Sequence, residues 1–598
     1  MTPADDTRPT GGSEEEAGPA KEAADQAAAP APVRPQPAGR TPSAPSAQPA
    51  AKAAPGGGPA AEKAPARKAP AGKPPAKRAP AKKAPAKKAA AQKAGKAAGK
   101  KAAAAKAGAE KAPSKHPPSK QPPSEQAAAE AGPRTAPATH ARARPDGRVH
   151  DVVVVGAGPA GASCAYWLAD AGWDVVVVEK KEFPREKTCG DGLTPRAVRQ
   201  LADMDLEGAL AGSHRYGGLR AFGFGQSIEM PWPSHPNFPG YGYTITRHDL
   251  DGIVAEHAAS AGATLLQGTE VTAPLLDETA APVPGADTPP LPALRGVTVK
   301  EKGQDATRTI LARYVVVADG SNSRVGRMLG TARRRELPLG MALRGYYSSD
   351  RHDDPYIESH LDIRDAEGNV VPGYGWIFPM GDGRVNVGVG LLSTDQRWKG
   401  SNTSTLMDTF VAYAPESWGL RPETSLGPPT GGKLPMGLSV SPRAGANVVI
   451  AGDASGAINP FNGEGIAYGY ETGRLAAAAL GHALRGDGEA ALAGYDRELD
   501  AAYGPYFRVA RAFVHLISHP EAMRLCVSVG MRSELVMNQL LRIMANLMRP
   551  DATGPAELSY RAMELIARML PDADGDARSV AANGNGNHTA ASAEAPAA

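Results

Sequence analysis

Residues 150 to 181, HDVVVVGAGPAGASCAYWLADAGWDVVVVEKK, constrain what this chain can fold into more than any other stretch. Val152 to Val155 form a short, wholly apolar, β-branched run, which suits a strand covered on both faces in a parallel sheet. Ala160 to Ala171 then switch to helical spacing, and a second run, Val175 to Val178, closes a βαβ unit that ends at Glu179. Between strand and helix stands Gly156-Ala157-Gly158-Pro159-Ala160-Gly161. Glycines at that spacing permit a tight turn and let a pyrophosphate approach the helix N-terminus, where free N–H groups and the helix dipole favour an anion. Glu179, at the end of the second strand, can accept from ribose hydroxyls. A dinucleotide is therefore the expected ligand, and FAD and NAD both satisfy this unit.

Composition says where the folded body lies. Residues 1 to 147 are almost entirely Ala, Pro, Lys, Gly, Ser and Glu, with no Ile, Phe, Trp or Tyr. Such a segment buries too little apolar surface to offset the entropy of ordering, and it is read as disordered. Residues 52 to 120 alone carry a net charge of +17, in loose repeats such as KRAPAKKAPAKKAA, while the whole chain is only +4. The body is accordingly acidic. The start has no charged segment followed by an apolar core, so no secretory signal is expected, and no apolar run approaches the ~18 to 20 residues of a membrane span. Cys164, Cys189 and Cys526 have no metal-type spacing, so no metal site is expected, and their sparseness suits a reducing cytoplasm. Cys164 and Cys526 read as core residues. Residues 572 to 598 read as a disordered end.

Two further strand ends separate FAD from NAD. Val317-Ala318-Asp319-Gly320 follows one β-branched run, and Ala451-Gly452-Asp453-Ala454 follows another. Either dipeptide alone is an ordinary turn. In order behind the Gly-rich turn, two carboxylates at strand ends favour FAD, whose ribityl chain and pyrophosphate they and the adjoining helix can face.

Taken together, GAGPAG, VVADGSNSRVGR and GDASGAINPFNGEGI resemble the three flavin segments of the FAD-dependent reductase and hydroxylase superfamily. CGDGLTPRAV at 189 to 198 and YGWIFP at 374 to 379 narrow the resemblance to the geranylgeranyl reductase family, and the surrounding residues are similar to the menaquinone reductases of high-GC bacteria. The resemblance covers about residues 150 to 550. It implies an α/β fold, with a Rossmann-like FAD-binding domain (148–215, 245–330 and 441–502) interleaved with an α+β substrate-binding domain (216–244 and 331–440). A helical region, 503–571, follows. On the family's flavin-contacting positions fall Gly156, Gly158, Gly161, Glu179, Arg247, Asp453, Gly465 and Ile466. Ala157, Pro159, Ala160 and Asp319 belong to the same flavin segments, and Cys189, Gly190, Asp191 and Gly192 to the segment beside the ring. Arg185, Lys187 and Arg196 flank Cys189 in sequence and would favour its thiolate.

The chemistry implied is saturation of C=C bonds in the isoprenoid side chain of menaquinone or another polyprenyl lipid. Alternatives are a geranylgeranyl lipid or diphosphate, or a flavin monooxygenase or halogenase. A diphosphate would want basic side chains, for which Arg324, Arg327 and Arg333 to Arg335 are candidates. The reduced donor is a nicotinamide such as NADPH, a ferredoxin or a membrane carrier; the proton donor is Cys189, Tyr374 or a water. In PGYGWIFPMGDGRVNVGVG, a period of two sets Tyr374, Trp376 and Phe378 on one face of a strand, in a chain with only 5% aromatic residues. That face reads either as core or as one wall of an apolar tunnel, and Val385, Val387 and Val389 are expected to contribute to it. With Cys189, Tyr374 and Trp376 are the catalytic candidates. The Lys-rich tail suits the anionic inner face of the cell membrane; nucleic acid is a weaker fit, given three intact flavin segments.

Overall fold

The computed structural model describes residues 148–279, 291–393, 402–549 and 552–569. The expected disorder of 1–147 and 572–598, and most of the Pro-rich insertion before residue 296, lie outside them.

Val149–Val155 pairs in parallel with Val175–Val178 on one side and with the second half of Thr307–Val317 on the other. Val152, Val153 and Val154 have no exposed surface, as a four-valine run without polar alternation requires. Thr264–Leu266 and Val448–Ile450 extend this parallel core at its two sides. The first half of Thr307–Val317 pairs instead with Leu294–Glu301, which pairs antiparallel with Thr269–Leu276. Val152 and Val154 pack under helices Pro159–Asp170 and Ile466–His482, while Val153 and Val155 pack with Val297 and Leu294 on the opposite face.

Those two helices cross closely because glycines face the contact. A Cβ on Gly473 would come within 2.3 Å of the Ala160 carbonyl oxygen, and one on Gly469 within 3.0 Å of Pro159 Cβ. Both helices start at a glycine, Gly158 and Gly465, with no side-chain cap and no acidic residue in the first turn. Their first N–H groups therefore remain available to a ligand.

A second sheet runs in the order Thr430–Pro435, Leu339–Ser348, Arg384–Leu392, Gly373–Pro379, Tyr356–His360, Gly218–Gly223, Gln226–Pro231. All neighbours are antiparallel except Tyr356–His360 beside Gly218–Gly223. The chain leaves the first sheet for the second, returns, and does so again. One face of the second sheet is a core of Ile377, Val385, Val387, Val389 and Leu391 under Leu406, Met407 and Phe410 of helix Thr403–Tyr413. This corrects the expected placement of the three valines. Trp376 pairs with Gly388 and Ile377 with Val387, so the valines share the face of Ile377, opposite the aromatics.

The last elements are helices Gly488–Ile517, Pro520–Gly530, Glu534–Met544 and Pro555–Met569. The domain boundary expected between 502 and 503 falls inside the first of them. Met523, Val527, Met531, Met537 and Leu541 pack against Ala221, Met230, Trp232 and Ile357 at the far edge of the second sheet.

Candidate active site

A cavity of about 720 Å3 opens between the two sheets. At one end it is lined by Gly156, Gly158, Pro159 and Ala160. Gly156 has φ +96°, and a Cβ there would stand 2.6 Å from the Ala318 carbonyl oxygen. A Cβ on Gly161 would stand 1.9 Å from the Gly156 carbonyl oxygen. Gly161 thus seats the helix against the turn, and Ala157 is fully buried in the core; neither reaches the cavity. The other flavin-contact candidates and the aromatic wall line this cavity, from Glu179 and the 189–192 segment to Arg247, Asp319, Asp453, Gly465, Ile466 and the three aromatics of the 374–378 strand, whereas Arg327 and Arg333 to Arg335 do not.

Glu179 accepts from the backbone N–H of Ala157 and of Lys181, each at 3.0 Å. A carboxylate oxygen can accept twice, so capacity for ribose hydroxyls remains. Arg185 stands 3.3 Å from Glu179 and 2.9 Å from Asp251. Asp251 in turn accepts from Arg247 Nε and Nη2 at 2.6 and 2.7 Å. Asp251 was not among the candidates from sequence; its signal was the i, i+4 spacing from Arg247 on one helix. Asp319 Oδ2 accepts from the N–H groups of Arg324 and Val325, while its Oδ1 is buried without a partner among the described residues. Asp453 lies 3.9 Å from Lys187 and just in front of Gly465, where a Cβ would stand 3.1 Å from its Oδ1.

The 189–192 segment is held from the aromatic strand. Asn386 donates to the Cys189 carbonyl at 3.0 Å and to Asp191 at 2.8 Å, and accepts from the Trp376 indole N–H at 2.9 Å. Asp191, with φ +61° and no exposed surface, also accepts from the Tyr346 hydroxyl and the Arg247 backbone N–H. Burial pushes its carboxyl up against the pull of those donors and Arg344. The segment comes so close to the strand that Cβ atoms on Gly190 and Gly192 would sit 3.2 and 3.1 Å from the Phe378 ring. The Trp376 indole covers Gly388, where a Cβ would be 2.2 Å from the ring. Neither Asn386 nor Gly388 was singled out in the sequence. Both sit opposite the aromatics in register, which alternation within a single strand does not reveal.

The cations expected beside Cys189 are elsewhere. Arg185 pairs with Glu179 and Asp251, Lys187 faces Asp453, and Arg196 is held by Glu471 at 2.6 Å. Burial pushes the Cys189 thiol up, and the guanidinium of Arg247, which does stand beside it, offsets this only in part. The thiol is thus favoured over the thiolate. The Tyr374 hydroxyl donates to the Asn462 carbonyl at 2.6 Å and is also pushed up by burial.

Beyond the aromatics the cavity continues between Leu219, Met230, Trp232 and Ile357 and the inward residues Met523, Val527, Met537 and Leu541 of the last helices. Cys164 is fully buried, whereas Cys526 is exposed at this end. Helix Pro520–Gly530 turns Met523 and Val527 inward, four residues apart, and Cys526 lies about 100° around from Val527.

The Gly-built turn, two uncapped helix starts, the unpartnered Asp319 Oδ1 and an aromatic wall fit a flavin dinucleotide followed by an apolar substrate. Comparison with known proteins agrees. A family model described as "FAD binding domain" matches residues 149–342. A menaquinone reductase of Mycolicibacterium smegmatis is 40% identical over 420 residues, which cover 70% of this chain and 97% of that protein. Digeranylgeranylglycerophospholipid reductase 1 of Methanopyrus kandleri is 30% identical, over 61% of this chain and 90% of its own. Among solved structures, a geranylgeranyl bacteriochlorophyll reductase-like protein from Thermoplasma acidophilum shares the fold, with TM-score 0.53 and 21% identity over 71% of this chain and 97% of that one.

Proposed function

The chain belongs to the FAD-dependent reductase family that includes the menaquinone and digeranylgeranylglycerophospholipid reductases, and on that premise we propose that it saturates C=C bonds in the isoprenoid side chain of a menaquinone. The observation that carries this reading is the continuity of the cavity, which runs from the Gly-rich turn past Trp376 into a mainly apolar extension under the last helices. FAD bound in the turn and reduced supplies the hydride for an unactivated double bond. The chain's own residues hold, align and dry the alkene. An isoprene offers no carbonyl to polarise, so affinity comes from apolar burial at roughly 25 cal/mol per Å2. Trp376, pinned by Asn386 beneath and facing Gly190, is a rigid wall against which an isoprene unit can lie.

A diphosphate substrate is less well supported, because, of the five arginines considered for it, only Arg324 lines the cavity, and Arg324, Arg333 and Arg334 are engaged by other groups. Arg324 pairs with Glu270, Arg333 donates to the carbonyls of Arg334 and Leu337, and Arg334 pairs with Glu336. The test is anaerobic turnover of the purified holoenzyme, chemically reduced and mixed with menaquinone in detergent, read by mass spectrometry. Product heavier by one H2 per bond reduced is the expected result. Trp376→Ala should retain its FAD yet turn over at least about tenfold more slowly, a loss of some 1.4 kcal/mol in alignment. Unchanged quinone mass with wild-type protein overturns the reading, and an oxygen-dependent, oxygenated product would make it a monooxygenase.

We also propose that the enzyme works on the cytoplasmic face of the membrane without crossing it. Among the described residues no helix is long and apolar enough to span a bilayer. The last helices are apolar on both sides: Met523, Val527 and Met537 face the cavity, while Leu525, Val529, Leu535 and Val536 are 51–66% exposed. Such a patch marks an interaction surface, and beside the apolar end of a tunnel a lipid surface is the partner that fits. Replacing those four outward residues with Asn should weaken binding to lipid vesicles at least about tenfold, roughly 1.4 kcal/mol of lost apolar burial, with turnover in detergent preserved. Vesicle binding that depended on the Lys-rich tail alone, and was lost on its removal but not in the Asn variant, would count against the helices.

A further inference from the structure

Among the described residues seven carboxyl groups line the cavity, and they are not equivalent. Glu179 and Asp191 are occupied by the contacts above, Glu186 pairs with Arg344, Glu270 with Lys180 and Arg324, and Asp453 faces Lys187. Asp319 has an unpartnered Oδ1 but stands beside Ala318, at the Gly156 turn. Glu464 is the remaining one. It immediately precedes Gly465, the start of helix Ile466–His482, in a loop whose Gly463 stands 3.4 Å (as a Cβ) from the Tyr374 hydroxyl. Its Oε1 accepts from the Thr194 hydroxyl, the Asn462 side chain lies beside the carboxyl, and its Oε2 is buried with no partner at hydrogen-bond geometry among the described residues.

We propose that Glu464 is the acid that supplies the proton in alkene reduction, an assignment that rests on the reductase reading above. The proton passes from the carboxyl to the less substituted alkene carbon, and the hydride joins the more substituted one, where positive charge is better borne. The π bond breaks, two C–H bonds form, the flavin is left oxidised by two electrons, and the carboxylate regains a proton from water.

The surroundings suit an acid that is protonated near neutrality. Tyr216, Tyr374, Tyr468 and Tyr506 face Glu464, together with Arg196 and Glu471. Arg196 is held bidentately by Glu471, at 2.6 and 2.9 Å, so its charge is largely balanced. Burial, aided by the Glu471 carboxylate and opposed by the Thr194 hydrogen bond, Arg196 and the Asn462 side chain, pushes the Glu464 carboxyl up to about 7. Cys189 and Tyr374 are poorer donors: burial makes both weaker acids, and the Tyr374 proton is committed to Asn462.

The test compares Glu464→Gln, which can still accept from Thr194, with Glu464→Asp. Flavin binding and chemical reduction should be unchanged in both. Reoxidation of the reduced holoenzyme by menaquinone should slow about 100-fold or more in the Gln variant and less in the Asp variant. The wild-type rate should fall as pH rises above about 7, and that limb should be missing from the residual Gln rate. Stability gives a readout independent of turnover. The carboxyl titrates near 4.5 unfolded and about 7 folded, so the folded state holds its proton longer and wild-type stability falls as pH rises through that window. In Glu464→Gln that portion of the fall should vanish. A Gln variant with near-wild-type reoxidation and an unaltered pH limb overturns the assignment. Should the Gln variant fail to fold, an Asp variant with wild-type rate and pH profile overturns it equally. Wild-type protein inert toward menaquinone would instead strike at the reductase reading itself.

Discussion

Asp251→Ala is expected to destabilise the protein by about 3–5 kcal/mol and to release its FAD. The Asp251 carboxylate has no exposed surface and is gripped by two cations, Arg247 through Nε and Nη2 and Arg185 through Nη1. Arg247 is itself 6% exposed. Removing one partner of such a pair leaves charge in a poorly solvated site, and that penalty, rather than the net worth of the ion pair, sets the size of the loss. Arg185 retains Glu179, but Arg247 is left beside the neutral Cys189 thiol. The backbone N–H of Arg247 also bonds to Asp191, so a guanidinium that escapes toward water will disturb the 189–192 segment. Denaturant unfolding followed by flavin fluorescence measures both effects. Asp251→Asn, which keeps the acceptors' place without the charge, should fall between. A loss within about 1 kcal/mol for the Ala variant would mean that water reaches Arg247 and that the pair is not what holds it.

The parts of the site legible in the sequence are those whose chemistry is local. The Gly-rich turn, Glu179, Asp319 and Asp453 each sit where a strand ends, and strand ends are marked by β-branched runs that need no partner to be recognised. The aromatic triplet was legible for the same reason, since its period of two belongs to one strand. What was not legible depends on pairing between distant segments. Val385, Val387 and Val389 alternate as Tyr374, Trp376 and Phe378 do, yet only the register Trp376 to Gly388 decides that they face opposite ways. Arg185, Lys187 and Arg196 lie near Cys189 in the chain, but the cation at its sulfur is Arg247, brought in by helix Arg247–Ser260. Asn386 is a single polar residue in an apolar strand, and Glu464 is one of several polar residues in the flavin segment GDASGAINPFNGEGI. Their importance lies in an unshared oxygen or a three-way hydrogen bond, which exists only once the sheets are assembled.

The same reasoning separates glycines that a motif treats alike. Gly161→Ala is expected to lower both the stability of the flavin-free protein and its affinity for FAD, the latter by about 100-fold, or roughly 2.7 kcal/mol. Its Cβ would meet the Gly156 carbonyl oxygen at 1.9 Å and Val154 Cγ1 at 3.2 Å. These are backbone and core atoms, so helix Pro159–Asp170 must move off the sheet, and the contact of Gly473 with Ala160 carries that movement into helix Ile466–His482. Both helix starts that frame the dinucleotide end would shift together. Gly158→Ala differs in kind. Gly158 has φ −78°, ordinary for any residue, and the nearest atom to its Cβ is Arg185 Nη2 at 3.9 Å. The flavin-free protein should keep its stability to within about 0.5 kcal/mol, yet the added methyl projects into the cavity where a pyrophosphate must approach. FAD affinity should therefore fall without loss of fold. Unfolding of the two apoproteins, paired with FAD titration by fluorescence, distinguishes the cases. Equal loss of apoprotein stability in both would mean that Gly158 is also a packing residue, and that the turn is not open toward the ligand.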